Sequence, residues 1–131
     1  NVRQLSFGML DMAWHTITEP YTGDVLAFEG KALQPTQVLP VVDGTAMGTA
    51  FTHIFSGGYA AGYYGYKWAE VLAADAFSYF KQKGIFSQEV AGKFRHEVLE
   101  KGGHKHPMEL YKNFRGHKPK TKALIDQMNL K

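Results

Sequence analysis

Between Asp43 and Lys67 lie 23 residues without a single Asp, Glu, Lys or Arg side chain. The later part of this segment, residues 53–66, reads HIFSGGYAAGYYGY and combines one histidine with four glycines and four tyrosines. Glycine allows a ligand to approach the backbone closely, and phenol and imidazole groups are neutral donors that can face developing negative charge. This combination is typical of a site that binds the oxyanion formed during acyl transfer.

Two of the tyrosines have a spacing that would place them on one face of a helix. At about 100° per residue, Tyr63, Tyr66 and Glu70 fall within an arc of about 60°. The two phenols would then project beside residues 56–62, which carry Tyr59. The spacing leaves two interpretations open: donors that converge on a substrate carbonyl, or aromatic side chains that pack the start of a helix. Packing is the commoner of the two.

The elements that must position this segment are predicted to be helices. Apolar residues at helical spacing indicate a first helix that stops at Pro20, and a second helix follows Asp24, has Val25 on its inner side and is limited by Pro35. Residues 35–48 have the composition of an irregular connector, and periodicity does not decide whether residues 49–55 are helical. The apolar positions of the first helix are Leu5, Met9, Met12, Ala13 and Ile17.

The rest of the chain is also predicted to be helical. A long helix covers about residues 63–83 and ends at Gly84, and Ser87 caps a further helix that closes at residues 101–103. Short helices are predicted near 107–114 and 120–129. No segment alternates with a period of two for long, so the sequence predicts an all-α fold and a single helical unit over residues 1–131. On the long helix, the positions predicted to face inward are Ala69, Leu72, Ala73, Ala76 and Phe80, and those predicted to face solvent are Lys67, Glu70, Asp75 and Ser78.

Three segments of the chain resemble a known family. They are His53–Phe77, FEGKALQP at residues 28–35, and GHKHPMELYKNFRG at residues 103–116. All three are similar to the C-terminal part of the thimet oligopeptidase family of zinc metallopeptidases, and most of all to its bacterial peptidyl-dipeptidase (dipeptidyl carboxypeptidase) and oligopeptidase A branch. The resemblance runs through nearly all 131 residues. It implies that the chain is the helical C-terminal portion of a zincin-type catalytic domain that hydrolyses short peptides.

The resemblance also implies roles for individual residues. In the family a zinc-bound water, deprotonated by a Glu, attacks the scissile carbonyl, while a glycine-rich loop closes over the peptide. By matching positions, Tyr66 is similar to the main oxyanion-stabilising tyrosine, and His53 and Tyr63 are similar to its other contacts with the substrate or transition state. The implied catalytic residues are therefore Tyr66, His53 and Tyr63. The implied substrate-binding residues are Tyr59, Tyr64, Gly57, Gly58 and Gly62, the glycines giving the loop mobility.

The zinc motif of that family is missing from this chain. The family binds zinc through His-Glu-x-x-His on a helix, whereas here Glu97 follows His96 but Glu100 stands where the second His would be. We therefore expect zinc in an intact enzyme, bound by an upstream part of the protein, and no metal and no activity in this chain alone. His104 and His106 are expected to be incidental. The expected partners are a peptide substrate and the zinc-bearing part, and apolar surface left uncovered could make the chain self-associate.

Composition and charge exclude several other classes of protein. The chain has no cysteine and a net charge of +3, with its basic residues clustered only at 117–122. The absence of Lys and Arg from residues 44–66 argues against nucleic-acid binding through the tyrosines, and the glycines there argue against a membrane span. The resemblance to bacterial enzymes implies a cytoplasmic location. The alternative function is a non-enzymatic helical module that binds a peptide or protein through its Gly-Tyr surface.

Overall fold

The structure is a computed structural model and describes residues 1–130. These residues form seven α-helices, two 3₁₀ turns and one π-helical turn, with no strand among them. The all-α prediction is confirmed. The chain divides into two compact units, one covering Asn1–Lys67 and the other beginning at Trp68. The single helical unit predicted over residues 1–131 stays a prediction.

The first unit contains three helices. They are α1 at Val2–His15, α2 at Val25–Leu33 and α3 at Thr52–Phe55, with 3₁₀ turns at Gln34–Thr36 and Gly48–Ala50. Asp24 caps α2, since its carboxylate accepts hydrogen bonds from the amides of Leu26 at 2.9 Å and Ala27 at 3.2 Å. Helix α1 ends at His15, before the predicted limit at Pro20, and the Thr16 hydroxyl donates to the Met12 carbonyl at 2.8 Å at this end of the helix.

The core of the first unit joins α1 to the segment that follows the connector. Leu10, Phe51, Ile54 and Tyr63 are buried together. The side chains packed around them are Phe7, Trp14, Ala32, Leu33 and Met47. Tyr63 is thus a core residue, and its ring meets the Phe51 ring edge-on with 4.9 Å between centroids.

A buried carboxylate fixes which side of α2 faces inward. Glu29 is buried and accepts hydrogen bonds from Trp14 Nε1 at 3.3 Å and from the Gly48 amide at 3.0 Å. These bonds anchor α2 to α1 and to the 3₁₀ turn at Gly48–Ala50. Val25, at the first position of α2, is exposed, so its predicted inward position is wrong. Four apolar residues predicted for the first helix are exposed as well, namely Leu5, Met9, Met12 and Ile17, the last of which lies beyond the end of α1.

The second unit is built from four helices. Helix α4 spans Gly65–Lys83 and so starts within the first unit, while α5 spans Gln88–Phe94 and continues as a π-helical turn at Arg95–Leu99. Helix α6 spans Pro107–Arg115, and α7 spans Lys122–Gln127. The predicted helices are all present. The cap at Ser87 is also as predicted, since the Ser87 hydroxyl accepts from the Val90 amide at 3.4 Å.

The core of the second unit contains both aromatic and charged side chains. Phe114 is fully buried, and its ring lies 5.1 Å from Phe94 and 5.6 Å from Tyr79. Asp75, predicted on the solvent side of the long helix, is buried, and the prediction is wrong because the Tyr111 hydroxyl donates to its carboxylate. The predicted inward positions Ala69 and Ala73 are exposed.

Arg115 completes the polar centre of this unit. Its Nε donates to Asp75 Oδ2 at 3.3 Å. Burial by itself raises the pKa of the Asp75 carboxyl, but the hydrogen bonds from Tyr111 and Arg115 together outweigh it and hold that pKa below its ordinary value. Burial first, and then the hydrogen bond to Asp75 and the Asp75 charge, raise the pKa of the Tyr111 phenol. Asp75 is therefore a paired carboxylate at neutral pH.

Across residues 1–130, every helix is too short or too polar to cross a lipid bilayer.

Candidate functional site

The candidate site starts with a tight turn after α3. The amide of Gly57 donates to the Thr52 carbonyl at 2.7 Å, and the amide of Tyr59 donates to the His53 carbonyl at 3.0 Å. A Cβ on Gly57 would lie 2.8 Å from the Cα of His53, and Gly58 has a φ of +79°. Position 57 therefore requires glycine for the close approach, and position 58 favours it because the backbone is left-handed. The turn brings Tyr59 back beside His53.

A second set of turns leads from Tyr59 into α4. The Gly62 amide donates to the Tyr59 carbonyl at 2.9 Å, and the Tyr66 amide donates to the Tyr63 carbonyl at 3.2 Å. Ala61 adopts a left-handed conformation, with a φ of +53°. Helix α4 begins at Gly65, so Tyr63 lies in the turn before the helix rather than on its first turn as the sequence predicts. The turns still place Tyr63 and Tyr66 on the same side.

Four rings form a closed cluster in this segment. The centroid distances are 6.1 Å for His53–Tyr59, 5.0 Å for Tyr59–Tyr66, 5.1 Å for Tyr66–Tyr63 and 6.0 Å for Tyr63–His53. We call these residues the four-ring cluster. Each ring contacts two others, so the position of any one ring depends on its neighbours. The structure thus brings together the three residues predicted to be catalytic and one of those predicted to bind substrate.

The four rings differ in their exposure. Tyr59 is 41% exposed and Tyr66 42% exposed, whereas Tyr63 is only 8% exposed. The Tyr63 hydroxyl donates to Oε1 of Gln4 on α1 at 3.3 Å. His53 is exposed, at the start of the glycine-containing turn. The surface of the cluster therefore offers two phenols and one imidazole to a ligand, while Tyr63 supports them from the core.

The Tyr66 phenol holds its proton more tightly than an isolated phenol does. Its side-chain hydrogen bond with Tyr59 raises the pKa of Tyr66 above the ordinary phenol value, and partial desolvation and the neighbouring tyrosines act in the same direction. A higher pKa keeps the proton on the oxygen over a wider pH range. Tyr66 is therefore a neutral donor at physiological pH.

Tyr64 and Gly62, two of the predicted substrate-binding residues, are not among the four rings. Tyr64 is 63% exposed, and its backbone passes Gly8 of α1. A Cβ on Gly62 would be 3.5 Å from the Tyr59 carbonyl oxygen, which is an ordinary van der Waals distance. The geometry thus requires glycine at position 57, favours it at position 58 and allows other residues at position 62. The mobility predicted for these glycines stays a prediction.

Sequence reasoning missed the main anchor of the segment, which is Asp11. This residue is fully buried on α1, and its two carboxylate oxygens accept hydrogen bonds from the amides of Ala61 and Tyr63, both at 2.9 Å. The sequence shows only its i, i+4 relation to His15, and that contact is present, with His15 Nδ1 2.8 Å from Asp11 Oδ1. A further signal was an Asp placed between two apolar residues, Leu10 and Met12, on the first helix.

The described residues do not fit a zinc ion. Within residues 1–130, no three His, Asp or Glu side chains are grouped in a way that could hold a metal. His106 instead has a structural role, since its Nδ1 accepts from the Met108 amide at 3.2 Å and caps α6. His96 pairs with Glu100, whose Oε2 lies 2.7 Å from Nδ1.

Comparison with known proteins places the chain in a family. The sequence model of peptidase family M3 matches residues 1–130. The chain belongs to peptidase family M3. This is a family of zinc metallopeptidases, so the family predicted from the sequence is confirmed.

Individual relatives of this M3 chain agree with the predicted branch. It is 42% identical to oligopeptidase A of Escherichia coli (strain K12) over 131 residues, which are 99% of this chain and 19% of that protein. It is 37% identical to dipeptidyl carboxypeptidase of the same organism over 128 residues, or 96% of this chain and 19% of the relative. Against probable cytosolic oligopeptidase A of Arabidopsis thaliana the identity is 39% over 130 residues, which are 95% of this chain and 18% of that protein. The chain thus spans less than a fifth of the length of these curated relatives.

Proposed function

We propose that this M3 chain supplies the oxyanion donors and part of the peptide-binding surface of a metallopeptidase that hydrolyses short peptides. The observation that carries the proposal is the four-ring cluster, in which the exposed phenols of Tyr59 and Tyr66 lie beside His53 on an anchored loop. Neutral donors held in a fixed array cost little reorganisation when negative charge develops on a carbonyl oxygen. Family membership supports peptide hydrolysis as the reaction.

In this proposal each member of the cluster has a separate task. Tyr66 donates to the oxyanion, and its raised pKa keeps it protonated for that purpose. Tyr59 and His53 contact the peptide, and Tyr63 supports Tyr66 from the core. Tyr64 contacts the substrate outside the four-ring cluster. Gly57, Gly58 and Gly62 let the loop close over it. A well-placed oxyanion donor contributes about 3 kcal/mol to the transition state, or about 10²–10³ in rate.

We propose that the zinc site belongs to another part of the same protein. The chain lacks His-Glu-x-x-His, and its relatives are several times longer. Exposed apolar surface on each unit supports such a partner: Leu5, Met9 and Met12 on α1, and a groove of about 670 Å³ in the second unit that Trp68, Leu72 and Leu99 help to line. Without its partner the chain is expected to self-associate through these surfaces.

The non-enzymatic alternative remains a distinct prediction. A helical interaction module would bind peptides saturably without zinc, which calorimetry measures directly. Membership of a peptidase family favours the enzyme. The relatives include both oligopeptidases and dipeptidyl carboxypeptidases, and one is named as cytosolic while another is named as chloroplastic/mitochondrial. We retain a cytoplasmic location for this chain as a proposal.

The test of the proposed function is Tyr66→Phe in the full-length protein that carries this chain. We expect kcat to fall at least about tenfold with little change in KM, because the lost donor acts only in the transition state. Tyr21→Phe is the matched control. It removes a phenol hydroxyl that donates to the Asp24 carbonyl at 3.0 Å, outside the four-ring cluster, and should leave kcat unchanged. An unchanged kcat in Tyr66→Phe would refute the assignment of Tyr66.

A further inference from the structure

We propose that Asp11 is a positioning residue for the four-ring cluster. Its carboxylate fixes the backbone on either side of Gly62 and so sets the position from which Tyr66 faces a ligand. This inference rests on the proposed function for its effect on catalysis, but the anchoring of the loop is a separate property that can be measured without activity.

The carboxylate of Asp11 is engaged at both oxygens. Oδ1 accepts from the Ala61 amide and Oδ2 from the Tyr63 amide, each at 2.9 Å, although the loop lies about fifty positions further along the chain. Asp11 is 0% exposed. A buried carboxylate is stable only when hydrogen bonds replace its water, so the two amides and the carboxylate hold each other in place.

His15 fixes the orientation of this carboxylate. Its Nδ1 lies 2.8 Å from Asp11 Oδ1 and 2.8 Å from the backbone oxygen of Asp11, one turn earlier on α1. The His15 ring also packs against Phe55 of α3, with 6.0 Å between centroids. The Asp11 carboxylate therefore accepts from two backbone amides and has the His15 imidazole 2.8 Å from Oδ1, and its rotation would break at least two of these contacts.

The anchor acts on a strained part of the backbone. Ala61 has a φ of +53°, a left-handed conformation that a residue with a Cβ adopts at an energetic cost. The hydrogen bond from its amide to Asp11 offsets that cost and selects this conformation over an ordinary one. Without the bond, the loop loses the main contact that keeps residues 60–62 in their observed path.

The anchor reaches Tyr66 through one intermediate residue. Asp11 holds the amide of Tyr63, the carbonyl of Tyr63 accepts from the amide of Tyr66 at 3.2 Å, and the two tyrosine rings lie 5.1 Å apart. A displacement of the Tyr63 backbone therefore moves both the backbone and the ring of Tyr66. Misplacement of a catalytic group by about 1 Å can cost about a hundredfold in rate.

The first measurement is hydrogen exchange in the full-length protein, comparing Asp11→Asn with Asp24→Asn. Asparagine at position 11 presents an NH₂ group where one oxygen stood, so one loop amide loses its acceptor. We expect exchange of the Ala61 and Tyr63 amides to quicken at least about tenfold. Asp24 is the control because its carboxylate also accepts from two backbone amides, yet only at the start of α2. Unchanged exchange at both loop amides would overturn the proposal.

The second measurement separates positioning from a general loss of stability. Asp11→Asn should lower kcat about tenfold while KM changes about twofold or less, and the same substitution in a Tyr66→Phe background should lower kcat much less. A loss of equal size in both backgrounds would overturn the proposal. If Tyr66→Phe has no effect on its own, the proposed function fails, while hydrogen exchange still decides whether Asp11 anchors the loop.

A milder variant keeps the test decisive if Asp11→Asn does not fold. His15→Phe leaves both loop amides bonded to Asp11 but removes the group that orients the carboxylate. We expect exchange at the Ala61 and Tyr63 amides to rise about threefold and kcat to fall by a similar factor, with KM unchanged. Wild-type exchange and wild-type kcat in His15→Phe, together with a folded far-ultraviolet spectrum, would overturn the role given to Asp11 and His15.

Discussion

Replacing Gly57 with alanine should destabilise the turn that follows α3. A Cβ at this position would lie 2.8 Å from the Cα of His53, 3.1 Å from the His53 carbonyl oxygen and 3.1 Å from the Thr52 carbonyl oxygen. All three obstacles are backbone atoms, so no side chain can rotate away to make room. The turn must open instead, and Tyr59 would move away from His53 as it does so.

The size of the effect follows from these three contacts. Overpacking costs about 1–3 kcal/mol, and contacts with backbone place Gly57→Ala near the upper end, at about 2–3 kcal/mol. Since about 1.4 kcal/mol corresponds to a factor of ten, opening of the turn should become about 30–150 times more frequent. The amides that report this opening are those of Gly57 and Tyr59, which donate to Thr52 and His53 in the closed turn.

Hydrogen exchange followed by mass spectrometry on a peptide covering residues 52–62 measures this change. Gly62→Ala is the matched control, because its added Cβ would lie at an ordinary 3.5 Å from the Tyr59 carbonyl oxygen and its φ lies outside the left-handed region. We expect exchange in this control to stay within about threefold of wild type. If Gly57→Ala also exchanges within about threefold of wild type, the steric reasoning is refuted.

Two further predictions concern titration. Tyr59→Phe removes the hydrogen bond that raises the pKa of Tyr66, and the pKa of Tyr66 should therefore fall toward the ordinary phenol value. Ultraviolet titration of tyrosinate in wild type and variant measures this change. An unchanged pKa would contradict the assigned cause. Asp75→Asn should lower the urea midpoint at neutral pH, because Asp75 is a paired carboxylate whose pKa is depressed on folding. Because its pKa is lower in the folded state, Asp75 stabilises the fold at pH values above its unfolded pKa of about 3.9, and this contribution is lost as the pH falls below that value. The difference in urea midpoint between wild type and variant should therefore shrink below about pH 4. A gap independent of pH would refute the pairing.

The existence of the helices could be predicted because local signals determine it. Asp24 and Ser87 cap α2 and α5 as their residue types suggest, and Gly84 ends α4 with a φ of +107°. The inward side of the helices could not be predicted in the same way. Glu29 is buried on α2, where Trp14 and Gly48 donate to its carboxylate, and these partners are remote in the sequence.

In the candidate site, too, features set by neighbouring residues could be predicted and contacts between distant residues could not. The residue types of 53–66 indicated donors around an oxyanion, and the structure brings His53, Tyr59 and Tyr66 together. The sequence does not indicate this anchor, because Asp11 contacts residues about fifty positions further along the chain. The helical spacing of Tyr63 and Tyr66 predicted that both residues lie on the long helix, whereas α4 starts at Gly65, after Tyr63.

The loop is anchored through its main chain, and this has a consequence for how its sequence can change. Asp11 accepts from the amides of Ala61 and Tyr63, and any residue except proline offers the same amide. The side chains of Ala60 and Ala61 are exposed and take no part in the attachment. Libraries that vary position 60 broadly, and position 61 among residues that tolerate a positive φ, would alter the surface near Tyr59 and Tyr66 while preserving the attachment. The segment is thus a natural starting point for engineering substrate preference.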